Sequence, residues 1–226
     1  MSVLLLLQLL LGSAAPCRAR TPELPLKAPT PAERRMFSSL EERLDGVKGL
    51  LPRPVDDALA SFRSSTAFTL DCEGSPVTVS VRTRLRSWRK GLPENGVYRW
   101  NWSEKRDESG GGTVVCDNEM ALDTPTLTAA EKSGRDDRKK AALVLFYHEL
   151  LHGQLLIDAI RGDDEWKALL CLTDRTPEEE VRLLAPSDLD EHRVIPSLEE
   201  GLRSALSTPT AESPSSGGFA GPAEAE

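Results

Sequence analysis

Ala141-Ala142-Leu143-Val144-Leu145-Phe146-Tyr147-His148-Glu149-Leu150-Leu151-His152-Gly153-Gln154-Leu155 is the stretch on which the fold turns. From Ala141 to Phe146 it is apolar on every side of a helix, and a helix without a polar face belongs in an interior. Asp136 and Asp137, just upstream, suit the positive end of a helix dipole and mark the start of the segment. Arg161-Gly162-Asp163-Asp164 breaks it after about Ile160.

The chain has 3 histidines, and two of them lie in this helix, four residues apart, with Glu149 directly after the first. Four residues is just over one helical turn, so His148 and His152 project from one face and can grip one metal ion. Two neutral imidazoles suit zinc. Glu149 lies one position round the helix, where it reaches a water held on the metal rather than the metal itself. Zinc lowers the pKa of that water, and a carboxylate can take its proton as it attacks a carbonyl. Two histidines and a carboxylate buried on an apolar helix without such a purpose would be costly.

The segment from Leu145 to Leu155 resembles the active-site helix of the zincin metallopeptidases, over about a dozen residues. The resemblance implies zinc (Zn2+) held by His148 and His152, with Glu149 as catalytic base, acting on a peptide or protein substrate. Gluzincins take a third ligand from a later helix, and the polar cluster there is Asp188-Leu189-Asp190-Glu191-His192-Arg193. His192 would complete a three-histidine site; Glu191 would instead give two histidines and one glutamate. Asp188 or Asp190 could orient a ligating imidazole. The metzincin pattern would require glycine at 155 and a ligand at 158, where this chain has Leu155 and Asp158. Without the glycine the helix runs on, and residue 158 turns about 120° from the histidine face. Asp158 is therefore a further candidate with an outward position to overcome. Tyr147 and Arg193 are candidates for stabilising an oxyanion, Tyr147 equally for packing. By analogy of fold, the strand at 113–116, or the stretch 118–122, would lie alongside substrate.

Before the helix the pattern is that of a small sheet. Ala67-Phe68-Thr69-Leu70-Asp71-Cys72 reads as a strand, Glu73-Gly74-Ser75-Pro76 as a turn, and Val77-Thr78-Val79-Ser80-Val81-Arg82 alternates with period two. Residues 96–102 alternate in part, and Thr113-Val114-Val115-Cys116 follows the turn at Gly110-Gly111-Gly112. An antiparallel or mixed sheet is the natural sum. Earlier still, Thr30, Pro31 and Glu33 form the start of a helix with a capping box. Met36, Leu40, Leu44, Val47 and Leu51 continue it as an apolar stripe, and a short helix is expected at 55–62. After the buried helix, further helices are expected at 165–172, 177–184 and 188–206, the last kinked or split at Pro196. The fold class is α+β: a small antiparallel or mixed sheet, a zincin-like helix and C-terminal helices.

Residues 1–19 carry the leucine run and small-residue flank of a secretory signal peptide, cleaved after Ala19 or alternatively after Ala15. Residues 20–52 are read as a leader and amphipathic helix, 53–206 as a zincin-like catalytic domain, and 207–226 as a disordered tail rich in Ser, Pro, Gly, Ala and Glu. The apolar N-terminal run is shorter than the roughly 20 residues a spanning helix needs, so no stable membrane span is expected after cleavage. A net charge of −8 without a basic face makes nucleic acid an unsuitable partner. Removal of Cys17 would leave Cys72, Cys116 and Cys171; Cys72 and Cys116, both in strands, are the expected disulfide, with Cys171 a buried thiol. The expectation is a secreted zinc metallopeptidase, or alternatively a secreted zinc-binding protein in which the metal secures the helices.

Overall fold

The computed structural model describes residues 26–88, 96–184 and 191–207. The expected signal peptide, and the tail apart from Ser207, lie outside the described residues.

α1 (Pro31–Val47) begins with the anticipated capping box. Thr30 Oγ1 accepts from the Glu33 amide at 3.3 Å, and Glu33 Oε2 accepts from the Thr30 amide at 2.6 Å. Its apolar stripe buries Phe37, Leu40 and Leu44. α2 (Asp56–Arg63) follows a short 3-10 turn. β1 (Thr66–Cys72) and β2 (Ser75–Trp88) form a hairpin whose two-residue turn, Glu73-Gly74, has both φ angles positive, at 53° and 87°. Glycine takes that conformation at no steric cost, and two positive φ values match the twist of the flanking strands. β3 (Gly96–Arg99), β4 (Trp102–Arg106) and β5 (Gly112–Asp123) complete the sheet.

β5 is the centre of that sheet. It runs parallel to β2 along one edge, while β3 and β4 share its other edge, both antiparallel. The sheet is therefore mixed, in the order β1-β2-β5-β3. β5 and β2 are longer than the alternation suggested because their later residues face the helical core: Met120, Ala121 and Leu122 are fully buried.

α3 (Thr124–Lys132) leads into α4 (Asp136–Gly162), and α5 (Asp164–Cys171), α6 (Pro177–Leu184) and α7 (Glu191–Ser207) follow. These seven helices and the mixed sheet make the α+β fold expected from the sequence pattern. α4 is long and apolar enough to cross a membrane, yet 78% of its most apolar window is buried inside the fold. Its first half, with Leu143, Phe146, Leu150 and Leu151, packs among α1, α2 and α7. Its second half, with Leu156, Ile157 and Ile160, packs on Val77, Val79, Val81 and Val114 of the sheet. α7 continues through Pro196 as one helix rather than splitting. It is drawn close to the leader: a Cβ on Gly201 would stand 2.6 Å from Pro52 Cγ.

The disulfide differs from expectation. Cys72 is bonded to Cys171, and Cys116 is a buried thiol. Cys72 lies on β1 and Cys116 on β5, with β2 between them. Two strand spacings are about 9.5 Å, beyond the reach of roughly 7 Å between bridged Cα atoms. α5 instead lies over β1, bringing Cys171 to a Cα separation of 5.3 Å from Cys72. Burial pushes the Cys116 thiol up to about 12.

Candidate metal centre

α4 carries His148, Glu149 and His152 into a cleft of about 670 Å3, with β3 on one side and α7 on the other. The helical spacing does what it promised. The two imidazole centroids are 5.1 Å apart at 72°, and one donor atom from each of the three residues lies within 4.8 Å of the others. Tetrahedral bonds of about 2.05 Å would set ligand atoms about 3.3 Å apart, so small side-chain adjustments suffice to close two imidazoles on one ion. The donor set fits a metal ion.

Glu149 is 3% exposed and lies against β3. The close approach depends on Gly96, where a Cβ would stand 2.2 Å from Glu149 Oε1. Only a residue without a side chain lets the strand pass the carboxylate at this distance.

His148 is held from α7. Its Nδ1 and Glu199 Oε1 are 2.7 Å apart, and Glu199 Oε2 accepts from Arg203 Nη2 at 3.0 Å. A carboxylate at Nδ1 fixes the ring and its tautomer and leaves Nε2 as the nitrogen that faces a metal. On the other side Tyr98 packs on His152, with ring centroids 6.0 Å apart. Burial pushes the Tyr98 hydroxyl up to about 12, against the lowering effect of hydrogen bonds with Thr83 and Asn118.

The other sequence candidates are distributed differently. Asp158 accepts from Gln154 Nε2 at 3.0 Å and pairs with Arg53, outside the cleft lining. Tyr147 is fully buried in the helical core and does not line the cleft, so it is a packing residue. His192, Glu191 and Arg193 stand on the first turn of α7, but their side chains lie outside the described residues, as do Asp188 and Asp190 altogether. The central strand β5 is paired along both edges, so neither 113–116 nor 118–122 has an edge open to substrate; β3 is the strand at the cleft.

Sequence reasoning missed Glu199, Gly96 and Tyr98. One signal pointed to the first. Glu199 is seven residues after His192, two helical turns, and therefore on the same face of α7. Ile195, Glu199 and Arg203, four residues apart on the same face, line the cleft.

Comparison with protein-family models, with curated proteins and with solved structures yields no match to this chain. The His148–Glu149–His152 group and its surroundings stand on their own geometry.

Proposed function

We propose that this chain is a secreted zinc-dependent metallopeptidase, with His148 and His152 as metal ligands and Glu149 as general base. The observation that carries this reading is the meeting of all three side chains at the wall of an open cleft. A structural zinc site is closed by four protein ligands, whereas a catalytic one keeps a position open to water or substrate. The cleft therefore favours turnover over the alternative of a purely structural metal.

Zinc, when bound, would polarise a substrate carbonyl and lower the pKa of water at its open position. Glu149 would take a proton from that water at a carboxylate oxygen and pass it on to the departing amine. Its surroundings of Gly96, Val97 and buried helix limit competing solvent. Among the described residues β3 ends the strand order β1-β2-β5-β3, which suits pairing with a peptide in extended form. Glu199 would orient His148 through Nδ1, and the third ligand stays with His192 or alternatively Glu191, whose side chains lie outside the described residues. The Cys72–Cys171 disulfide is consistent with an extracellular, oxidising setting, and the leucine-rich residues 1–19 support secretion.

The purified protein should contain one zinc per chain and cleave members of a peptide library. Glu149→Gln should abolish cleavage with zinc retained. Absence of stoichiometric zinc rules out both the catalytic and the structural readings; zinc without cleavage leaves only the second. Of His192→Ala and Glu191→Ala, loss of the true third ligand should weaken zinc most, and Glu199→Ala should weaken it about 10- to 100-fold by releasing the His148 ring; wild-type affinity in Glu199→Ala would exclude the orienting role.

A further inference from the structure

Four polar side chains from four elements meet behind His152. Ser61 of α2, Thr83 of β2 and Asn118 of β5 are all buried, and they converge on the Tyr98 hydroxyl of β3. The direction of the bonds follows from counting protons. Ser61 Oγ gives its proton to the Ala58 carbonyl at 2.8 Å, so its 3.3 Å contact with Thr83 Oγ1 is donated by Thr83. Thr83 must then accept from Tyr98 at 2.8 Å, and Tyr98 in turn accepts from Asn118 Nδ2 at 3.4 Å. The chain returns to α4 by a second route, since the Ala58 amide donates to Gln154 Oε1 at 3.1 Å. Between its two ends lies Gly153, where a Cβ would stand 2.9 Å from the Tyr98 oxygen. The absent side chain is what lets the phenol lie against the helix.

We propose that Tyr98 is a positioning residue for the metal centre: anchored by this hydroxyl chain, its ring holds the His152 imidazole and keeps the β3 edge in register with α4. The role rests on the metal-site part of the proposed function. A buried hydroxyl chain is costly to assemble and rigid once complete, and the phenol it holds lies with its ring centroid 6.0 Å from that of His152. Groups that orient a ligating imidazole typically contribute 10- to 100-fold to metal affinity.

The test uses cobalt(II) and zinc titrations of the wild-type chain, Tyr98→Phe and Ser61→Ala. Tyr98→Phe should weaken metal binding about 10-fold and shift the visible absorption of the cobalt form. Ser61→Ala leaves both direct bonds of the Tyr98 hydroxyl, to Thr83 and Asn118, in place, so it should lower thermal stability while leaving affinity and spectrum close to wild type. A Tyr98→Phe protein with wild-type affinity and spectrum overturns the proposal, as does an equal loss of affinity in both variants. If Tyr98→Phe does not fold, Thr83→Val carries the same expectation and the same overturning result. A wild-type chain that takes up no metal fails earlier and overturns the metal centre together with this role.

Discussion

Gly96 and Glu199 serve the same centre by opposite means. Gly96 acts through an absence, since any Cβ would overlap the Glu149 carboxylate at 2.2 Å, and strand backbone cannot retreat easily while paired to Leu122. Gly96→Ala should therefore displace Glu149 and leave the two imidazoles in place. Misplacement of a catalytic group by about 1 Å can lower turnover by roughly 100-fold. Under the proposed function, kinetics beside zinc analysis check this: kcat should fall on that order with metal content unchanged. Glu199 acts by contact, sharing one carboxylate between His148 and Arg203. Arg203 is half-exposed, so its ion pair contributes little by itself, and Arg203→Gln should alter zinc affinity far less than Glu199→Ala.

At the level of elements, α1 is fastened to the sheet through its cap. Glu33 reaches the Thr30 amide at 2.6 Å and accepts from Ser87 Oγ of β2 at 2.9 Å. Burial alone would raise its pKa, but the hydrogen bonds from Thr30, Ser87 and Thr124 together hold it below the usual carboxylate value. A depressed folded pKa gives stability that is present above the unfolded pKa of 4.5 and is lost as pH falls through the folded value. Glu33→Gln should cost about 1 kcal/mol near neutral pH. Paired thermal melts should show the difference from wild type shrinking toward zero below pH 4; a constant difference would mean the carboxylate charge plays no part. The α5–α6 connection is fastened to β4 in another way. Arg175, 2% exposed, bonds both Glu104 oxygens, at 2.6 and 3.0 Å, and lies over Trp102. Glu104→Ala should cost about 3 kcal/mol in urea unfolding, because it leaves a buried guanidinium without its partner.

Across the whole molecule, one covalent link closes a long loop. Cys72 and Cys171 are 99 residues apart, and their bond ties the first hairpin to the helix after α4. Closing a loop of that length should stabilise the fold by about 4–5 kcal/mol, chiefly by restricting the unfolded chain. A non-reduced peptide map should recover Cys72 joined to Cys171, and Cys171→Ala should lower the unfolding midpoint. Alkylation should reach Cys116 only after denaturation, since the thiol is buried between the sheet and its helices. Recovery of a Cys72–Cys116 peptide instead would contradict the strand order.

Whatever depends on neighbours along the chain was legible in the sequence: the capped first helix, the alternating strands, the buried helix, and the meeting of His148, Glu149 and His152. Helix and strand periods are set by local backbone geometry, so a spacing of four residues already means a shared face. Whatever depends on packing between distant segments was not. The alternation of β2 and β5 is compatible with parallel or antiparallel neighbours, and only their pairing set β2 between the cysteines at 72 and 116. The later helix was recognisable as the element facing the histidines, but only its packing on α4 brought Glu199, 51 residues from His148, against that ring. Gly96 and Tyr98 became meaningful for the same reason: a glycine's missing side chain and a tyrosine's buried hydroxyl carry a role only once a particular neighbour is brought against them.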